Sequence, residues 1–104
     1  MAERELDLTT PESVTNVSGT NNYDKVRLNR IQLIYGSKEL NFIYSVGKVD
    51  GSYTPYRIGE TIMISGTNFD SMVDGKTDEE IQDGIFDKLV TDSLVGTGTK
   101  QDVS

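Results

Sequence analysis

Asp70, Asp74 and Asp78 recur at a spacing of four, with Gly75 directly after the middle one. Carboxylates so spaced suggest oxygen ligands for a hard cation such as Ca²⁺. Counted from Asp70, however, a calcium loop needs Asp or Asn at the third place and Glu at the twelfth. Those places hold Met72 and Ile81. The three acids therefore read as turn formers and a lead-in to a helix. Glu39 and Glu60 are the next candidates for paired-carboxylate chemistry. One adjoins a turn and the other lies in a linker, and nothing sets them across a cleft. The run GKVDG from Gly47 to Gly51 places a Lys among glycines, but it lacks the spacing and trailing Ser or Thr of a phosphate loop and reads as a hairpin tip. The chain contains no His and no Cys. That removes the commonest general base, thiolate metal sites and every His-activated nucleophile. No catalytic, cofactor or metal site is expected, and no enzymatic activity.

Tyr53, Tyr56 and Arg57 cluster beside Pro55, and Tyr44 is expected opposite Arg57 across a hairpin. Tyr and Arg pair a large contact area with a polar end, which suits a protein interface. Tyr also fits a pleated surface on its own account. An alternative is a small soluble module that takes carbohydrate or a peptide strand at the Tyr53/Tyr56/Arg57 edge.

These side chains need a sheet to hold them. Residues 26–65 read as an antiparallel β-meander. Gly36-Ser37 suits a two-residue turn with positive φ at the Gly, which pairs Leu33 with Leu40 and Ile31 with Phe42. Asp50-Gly51 is a second turn signal that pairs Val49 with Ser52, Tyr44 with Arg57 and Ile43 with Ile58. Strict alternation then gives one face with Ile31, Leu33, Leu40, Phe42, Tyr44 and Val46, and an opposite face with Val26, Leu28, Ile34, Ile43, Tyr56 and Ile58. Both faces are apolar, so both should be covered. Pro55 belongs at an edge or a bulge. Residues 61–65 form a further strand that either extends the sheet or closes a small barrel or sandwich.

Thr77-Asp78-Glu79-Glu80 is a capping box with acids in the first turn. Ile81, Ile85, Phe86, Leu89 and Val90 recur on one stripe, so a C-terminal amphipathic helix is expected over Asp78–Thr91, with Gly84 allowing a close approach to the sheet. The expected class is α+β. Residues 1–22 and 93–104 lack a sustained period and read as extended arms flanking an α+β domain at 23–92. In the first arm Leu6, Leu8, Val14 and Val17 are the apolar side chains available for contact with a partner.

The chain has 104 residues, a 35% hydrophobic share and a net charge of −7. That size suits one domain, and the negative balance argues against general nucleic-acid binding. No apolar run is long enough to span a bilayer, and no apolar leader opens the chain. Residues 1–22 sum to −3, residues 23–67 to +2 and residues 68–104 to −6. Opposite charges on two parts of a chain can meet between neighbours in an array.

This layout, from the MAERELDL…TNVSGTNN arm through the meander to the helix and tail, resembles the small structural proteins of tailed-bacteriophage virions. Those are head decoration, neck, tail or baseplate components. The resemblance implies a non-enzymatic role in a symmetric, oligomeric assembly. Its partners would be copies of itself or other virion proteins, with no cofactor, nucleic acid or membrane, and it would be located in the virion after synthesis in the host cytoplasm. It is one of layout, and it carries no functional residue to this chain.

Overall fold

The structure, a computed structural model, describes residues 3–103. Residues 1, 2 and 104, at the ends of the expected arms, lie outside the described residues. The elements are β1 (Arg4–Asn16), β2 (Gly19–Ile34), β3 (Glu39–Asp50), β4 (Ser52–Ile58), β5 (Ile62–Ser65), α1 (Gly66–Val73), α2 (Asp78–Thr91) and β6 (Gly98–Asp102). The strands form one antiparallel sheet in the order β4-β3-β2-β1-β6, with β5 pairing β3 beyond the end of β4. The sheet is open. The class is α+β, with six strands and two helices.

The register of β2 on β3 carries the most consequence. Ile31 opposes Phe42 and Leu33 opposes Leu40, as the turn predicts. Arg30 opposes Ile43, Leu28 opposes Tyr44, and Asn29 has no partner between them. That single extra residue is a β-bulge, and it reverses the alternation along β2. Val26 and Leu28 therefore join Ile31 and Leu33 on the face of Leu40, Phe42, Tyr44 and Val46, contrary to the strict alternation. Asn29 is held in place by Ser45 Oγ, which donates to its Oδ1 at 2.7 Å.

The gathered apolar face is covered by both helices. Ile81, Ile85, Phe86 and Leu89 of α2 and Phe69 and Val73 of α1 are buried in one cluster with Leu40, Phe42, Tyr44 and Val46. The capping box of α2 is present as expected: Glu80 N donates to Thr77 Oγ1 at 3.2 Å, and Thr77 N to Glu80 Oε1 at 3.0 Å. Helix α1 was not expected. Its signal is Phe69, Met72 and Val73 at helical spacing, hidden among the turn-forming acids. Gly84 faces Met72 of α1 rather than the sheet, because α1 occupies that side of α2.

Both expected arms are strands of the sheet. Leu6 opposes Val26 on one side and Lys100 of β6 on the other. Leu6 is 2% exposed and Leu8 5%, so these two side chains complete this chain's own core rather than reaching for a partner. The reason is sheet economy. A short meander with one covered face gains apolar area by adding neighbours at its β2 side, and residues of modest strand period suffice when the partner strand supplies the register.

Both turns differ from the two-residue forms. Positive φ falls on Lys38 (52°) rather than Gly36, and Lys38 N donates to Tyr35 O at 3.3 Å. At the other tip Gly51 alone, with φ 75°, reverses the chain, so Asp50 opposes Ser52 and Val49 opposes Tyr53. A second bulge follows at Tyr56, next to Pro55, which has no N–H for the ladder. Arg57 then opposes Val46 instead of Tyr44, and Ile58 opposes Ser45 instead of Ile43. Between β4 and β5 the chain passes Tyr44 so closely that a side chain at Gly59 would overlap the Tyr44 ring, and Gly59 N donates to Tyr44 O at 2.8 Å.

The outer face carries a polar row and, toward β4 and β5, the exposed apolar side chains of Ile34, Ile58 and Met63. Gln101, Glu5, Arg27 and Ser45 are successive cross-strand partners in one row across β6, β1, β2 and β3. Glu5 is buried there, accepting from Arg27 Nε at 3.0 Å and Gln101 Nε2 at 2.6 Å. The expectation of two covered apolar faces therefore gives way to one dry face, joined by Val26 and Leu28, and an outer face that mixes this polar row with Ile34, Ile43, Ile58 and Met63. Leu6→Ala is expected to cost about 2–5 kcal/mol of unfolding free energy, read by urea denaturation, because it opens a cavity in the core. A loss under about 0.5 kcal/mol, the usual size for a surface site, would mean that β1 is not integral to the domain.

Candidate interaction surface

The chemistry-bearing residues singled out above are dispersed. Asp70 accepts from Lys38 Nζ at 3.2 Å, Asp74 caps the end of α1, and Asp78 begins α2. Among the described residues no group of carboxylates gathers as a metal site, and no helix is long and apolar enough to cross a membrane.

The Tyr53/Tyr56/Arg57 cluster divides between the two faces of β4, because the bulge at Tyr56 separates them. Tyr53 turns to the outer face. Its hydroxyl lies 2.8 Å from Ser45 Oγ, and the Arg27 guanidinium sits 4.5 Å from its ring centroid. Burial pushes the Tyr53 hydroxyl's pKa above its ordinary value, with the Ser45 bond opposing. Arg57 turns to the inner face and meets Glu12 of β1 in a fork: Nε to Oε1 at 2.8 Å and Nη2 to Oε2 at 2.7 Å. It also donates to Leu94 O at 2.9 Å and to Tyr44 Oη at 3.2 Å. One guanidinium thus joins β4, β1, the buried Tyr44 and the segment after α2. Tyr56 donates its hydroxyl to Glu12 and stacks on Tyr23 with centroids 4.3 Å apart. These groups are engaged within the chain.

How Glu12 reaches Arg57 follows from a third irregularity. Between the pairs Asp7–Lys25 and Glu12–Tyr23, β1 carries residues 8–11 where β2 carries Asp24 alone. The surplus interrupts the β1–β2 ladder, and the Arg57–Glu12 fork with the Tyr23–Tyr56 stack ties the stretch beyond it to β4. Sequence reading missed Glu12 and Tyr23, since neither has a local pattern that points to β4.

Beyond that clamp lies the surface left free. Among the described residues, segments 12–16 and 19–23 share a strand ladder only with each other, because β6 ends against Leu8 and the β3 ladder ends at Lys25. Lys48 Nζ of β3 does donate to Asn21 Oδ1, at 3.2 Å. Ser13 Oγ donates to Asn22 Oδ1 at 2.7 Å, Thr15 and Thr20 hydroxyls meet at 3.0 Å, and Ser18 N donates to Asn16 Oδ1 at 2.8 Å. Val14 is partly exposed, and Val17 at the tip is fully so, at 107%. Residues 13–23 are the longest run in the chain without a charged side chain. That run was legible in the sequence as a gap in the charge pattern. The ribbon helps give the molecule extents of 50 × 24 × 19 Å and a radius of gyration of 14.4 Å, against about 13 Å for an average compact chain of this length.

The clamp is pH-sensitive. The Arg57 guanidinium, against the cost of burial, holds the Glu12 carboxyl below its ordinary value. Glu12 in turn holds the Arg57 pKa above its own ordinary value. A depressed carboxyl contributes stability that is full above the unfolded-state value, about 4.3, and is lost as pH falls through the lower folded value. The near-UV circular dichroism of the Tyr23–Tyr56 stack is therefore expected to hold from neutral pH to about 5 and to fade at more acidic pH. Glu12→Gln should weaken that signal at neutral pH and flatten its acid dependence. An identical acid step in that variant would assign the titration elsewhere.

Comparison of the chain with protein-family models, with curated proteins and with solved structures returns no match, so the reading of this surface rests on its own geometry.

Proposed function

We propose that this chain is a non-enzymatic structural subunit of a tailed-phage virion, a head-decoration, neck, tail or baseplate component, that enters a symmetric assembly through its projecting ribbon. The observation that carries the assembly reading is the ribbon itself. It is two strands wide, without a ladder partner on either edge among the described residues, uncharged over residues 13–23, touched at Asn21 by the Lys48 side chain, and tipped by an exposed Val17. Exposed strand edges are usually blunted by charges, by bulges or by a cover, because they invite pairing. An isolated two-stranded ribbon is also marginal in water. This one is braced at its base by the Arg57–Glu12 clamp, which supports a role in presenting it. Assignment to a virion rests on the resemblance of layout. Its partners would be other copies or neighbouring virion proteins. The carbohydrate or peptide module at the Tyr53/Tyr56/Arg57 edge is less well supported, since binding there would have to break the clamp or the Ser45–Tyr53 contact.

Replacing residues 13–22 by an Asn-Gly turn joins Glu12 to Tyr23, which are already cross-strand partners. The shortened chain is expected to melt within a few degrees of the full chain, because nothing from the core is removed. Light scattering should show concentration-dependent mass for the full chain and a monomer for the shortened one. A full chain that stays monomeric and binds no virion partner would overturn the assembly reading.

A further inference from the structure

The far end of the molecule from the ribbon carries an open cleft of about 370 Å³ between β2 and the start of α2. Leu28, Ile31, Leu33 and Ile81 contribute its apolar lining, Glu3 and Asp78 contribute acids, Arg30 contributes one cation, and Asn29 and Gln82 complete it. Ile31 is 37% exposed there, although its register places it on the dry face. The Asn29 bulge is what aims Leu28, Ile31 and Leu33 to that side together, so the cleft is built into the strand. Helix α2 begins only at Asp78 and leaves this end of the face uncovered.

We infer that the tip of the ribbon of a second copy, Val17 foremost, seats in this cleft, so that copies join head to tail. The inference rests on the assembly reading above and names the partner and the contact. Three observations select this occupant. The first is charge. A second copy carries −7 overall and −6 in its last third, and around a cleft lined by two acids, Glu3 and Asp78, and one base, Arg30, most of its surface would meet a net negative charge of its own sign. The uncharged stretch 13–23 avoids that repulsion, and the Asn16 amide at the tip can donate to a carboxylate. The second is shape. Val17 is an apolar knob standing clear of its own subunit, and the cleft is a depression of more than its size that offers it Leu28, Ile31, Leu33 and Ile81. The third is placement. Twelve residues of β2 separate Gly19 from Ile31, about 40 Å at the usual strand rise, so knob and cleft lie toward opposite ends of a molecule 50 Å long. A knob and a hole on different parts of one chain make a heterologous contact, which propagates into a ring or a helical array.

The test uses two charge variants of the full chain, V17D and I31E, with circular dichroism and melting as fold controls. Wild-type protein is expected to associate, and each variant alone to associate at least about tenfold more weakly. V17D keeps an intact cleft and I31E keeps an intact tip. An equimolar mixture therefore has one working junction, and light scattering should give the mass of a 1:1 dimer that grows no further. Because the chain has no native Cys, mixing V17C with I31C under oxidising conditions should give a disulfide-linked dimer. That readout is independent of the stability of either charge variant. If wild-type protein associates but the mixtures give neither dimer, the head-to-tail contact is overturned while the assembly reading stands. If wild-type protein is monomeric at about millimolar concentration and binds a different virion protein instead, the contact between copies is overturned in favour of that partner.

Discussion

One unpaired residue decides how this chain is layered. Without the bulge at Asn29, Val26 and Leu28 would point away from Ile31 and Leu33, and the sheet would need cover on both sides. With it, all four side chains line up against Leu40, Phe42, Tyr44 and Val46. A domain of 104 residues with two short helices has material for one covering layer, and the bulge brings Val26 and Leu28 under it while Ile34, Ile58 and Met63 stay exposed on the outer face. Ser45 is central to this arrangement. Fully buried, it donates to Asn29 and meets the Tyr53 hydroxyl, so the residue that breaks the alternation is tied to the strand opposite.

Polar groups are used to cross-link strands rather than to build a reaction site. On the outer face the buried Glu5 is bracketed by Arg27 and Gln101, which joins three strands through one carboxylate. Leaving such a charge without a partner would be expensive, so its neighbours are part of the fold. At the other end of β1, Arg4 lies within 3.0 Å of Asp83 and 2.9 Å of Asp102, tying β1 to α2 and β6. On the inner face Arg57 does the same for β4, β1 and the segment after α2. The acidic C-terminal third also meets bases from both earlier parts of the chain. Arg4 serves α2 and β6 from the first strand, and Lys38 reaches Asp70 from the first tight turn of the meander. Part of the charge contrast is therefore settled within the subunit, and the ribbon is left as the neutral part that faces outward.

The local signals held where local physics sufficed. Thr77 and Glu80 announced the start of α2, its stripe announced the buried side, and the Leu33–Leu40 and Ile31–Phe42 pairs followed from one turn. Helix α1 was masked by its own acids. Strands β1 and β6 were unreadable because each takes its register from a partner distant in sequence: Leu6 from Val26, and Lys100 from Leu6. Of the expected contact residues, Leu6, Leu8 and Tyr44 turn out to be core, Tyr53, Tyr56 and Arg57 are engaged within the chain, and Val14 and Val17 remain available.

By itself, then, the amino-acid sequence determined an α+β chain with an antiparallel meander, a capped amphipathic helix, no His or Cys for the common active sites, and an unusual neutral stretch near its start. Those properties depend on residue types and on neighbours a few positions away. Which face each strand shows, where the two ends dock, and the meeting of Glu12 with Arg57 were decided only in three dimensions. Each depends on an irregularity of one to three residues, and a pattern of period two cannot record where such a slip occurs until the opposing strand is in place.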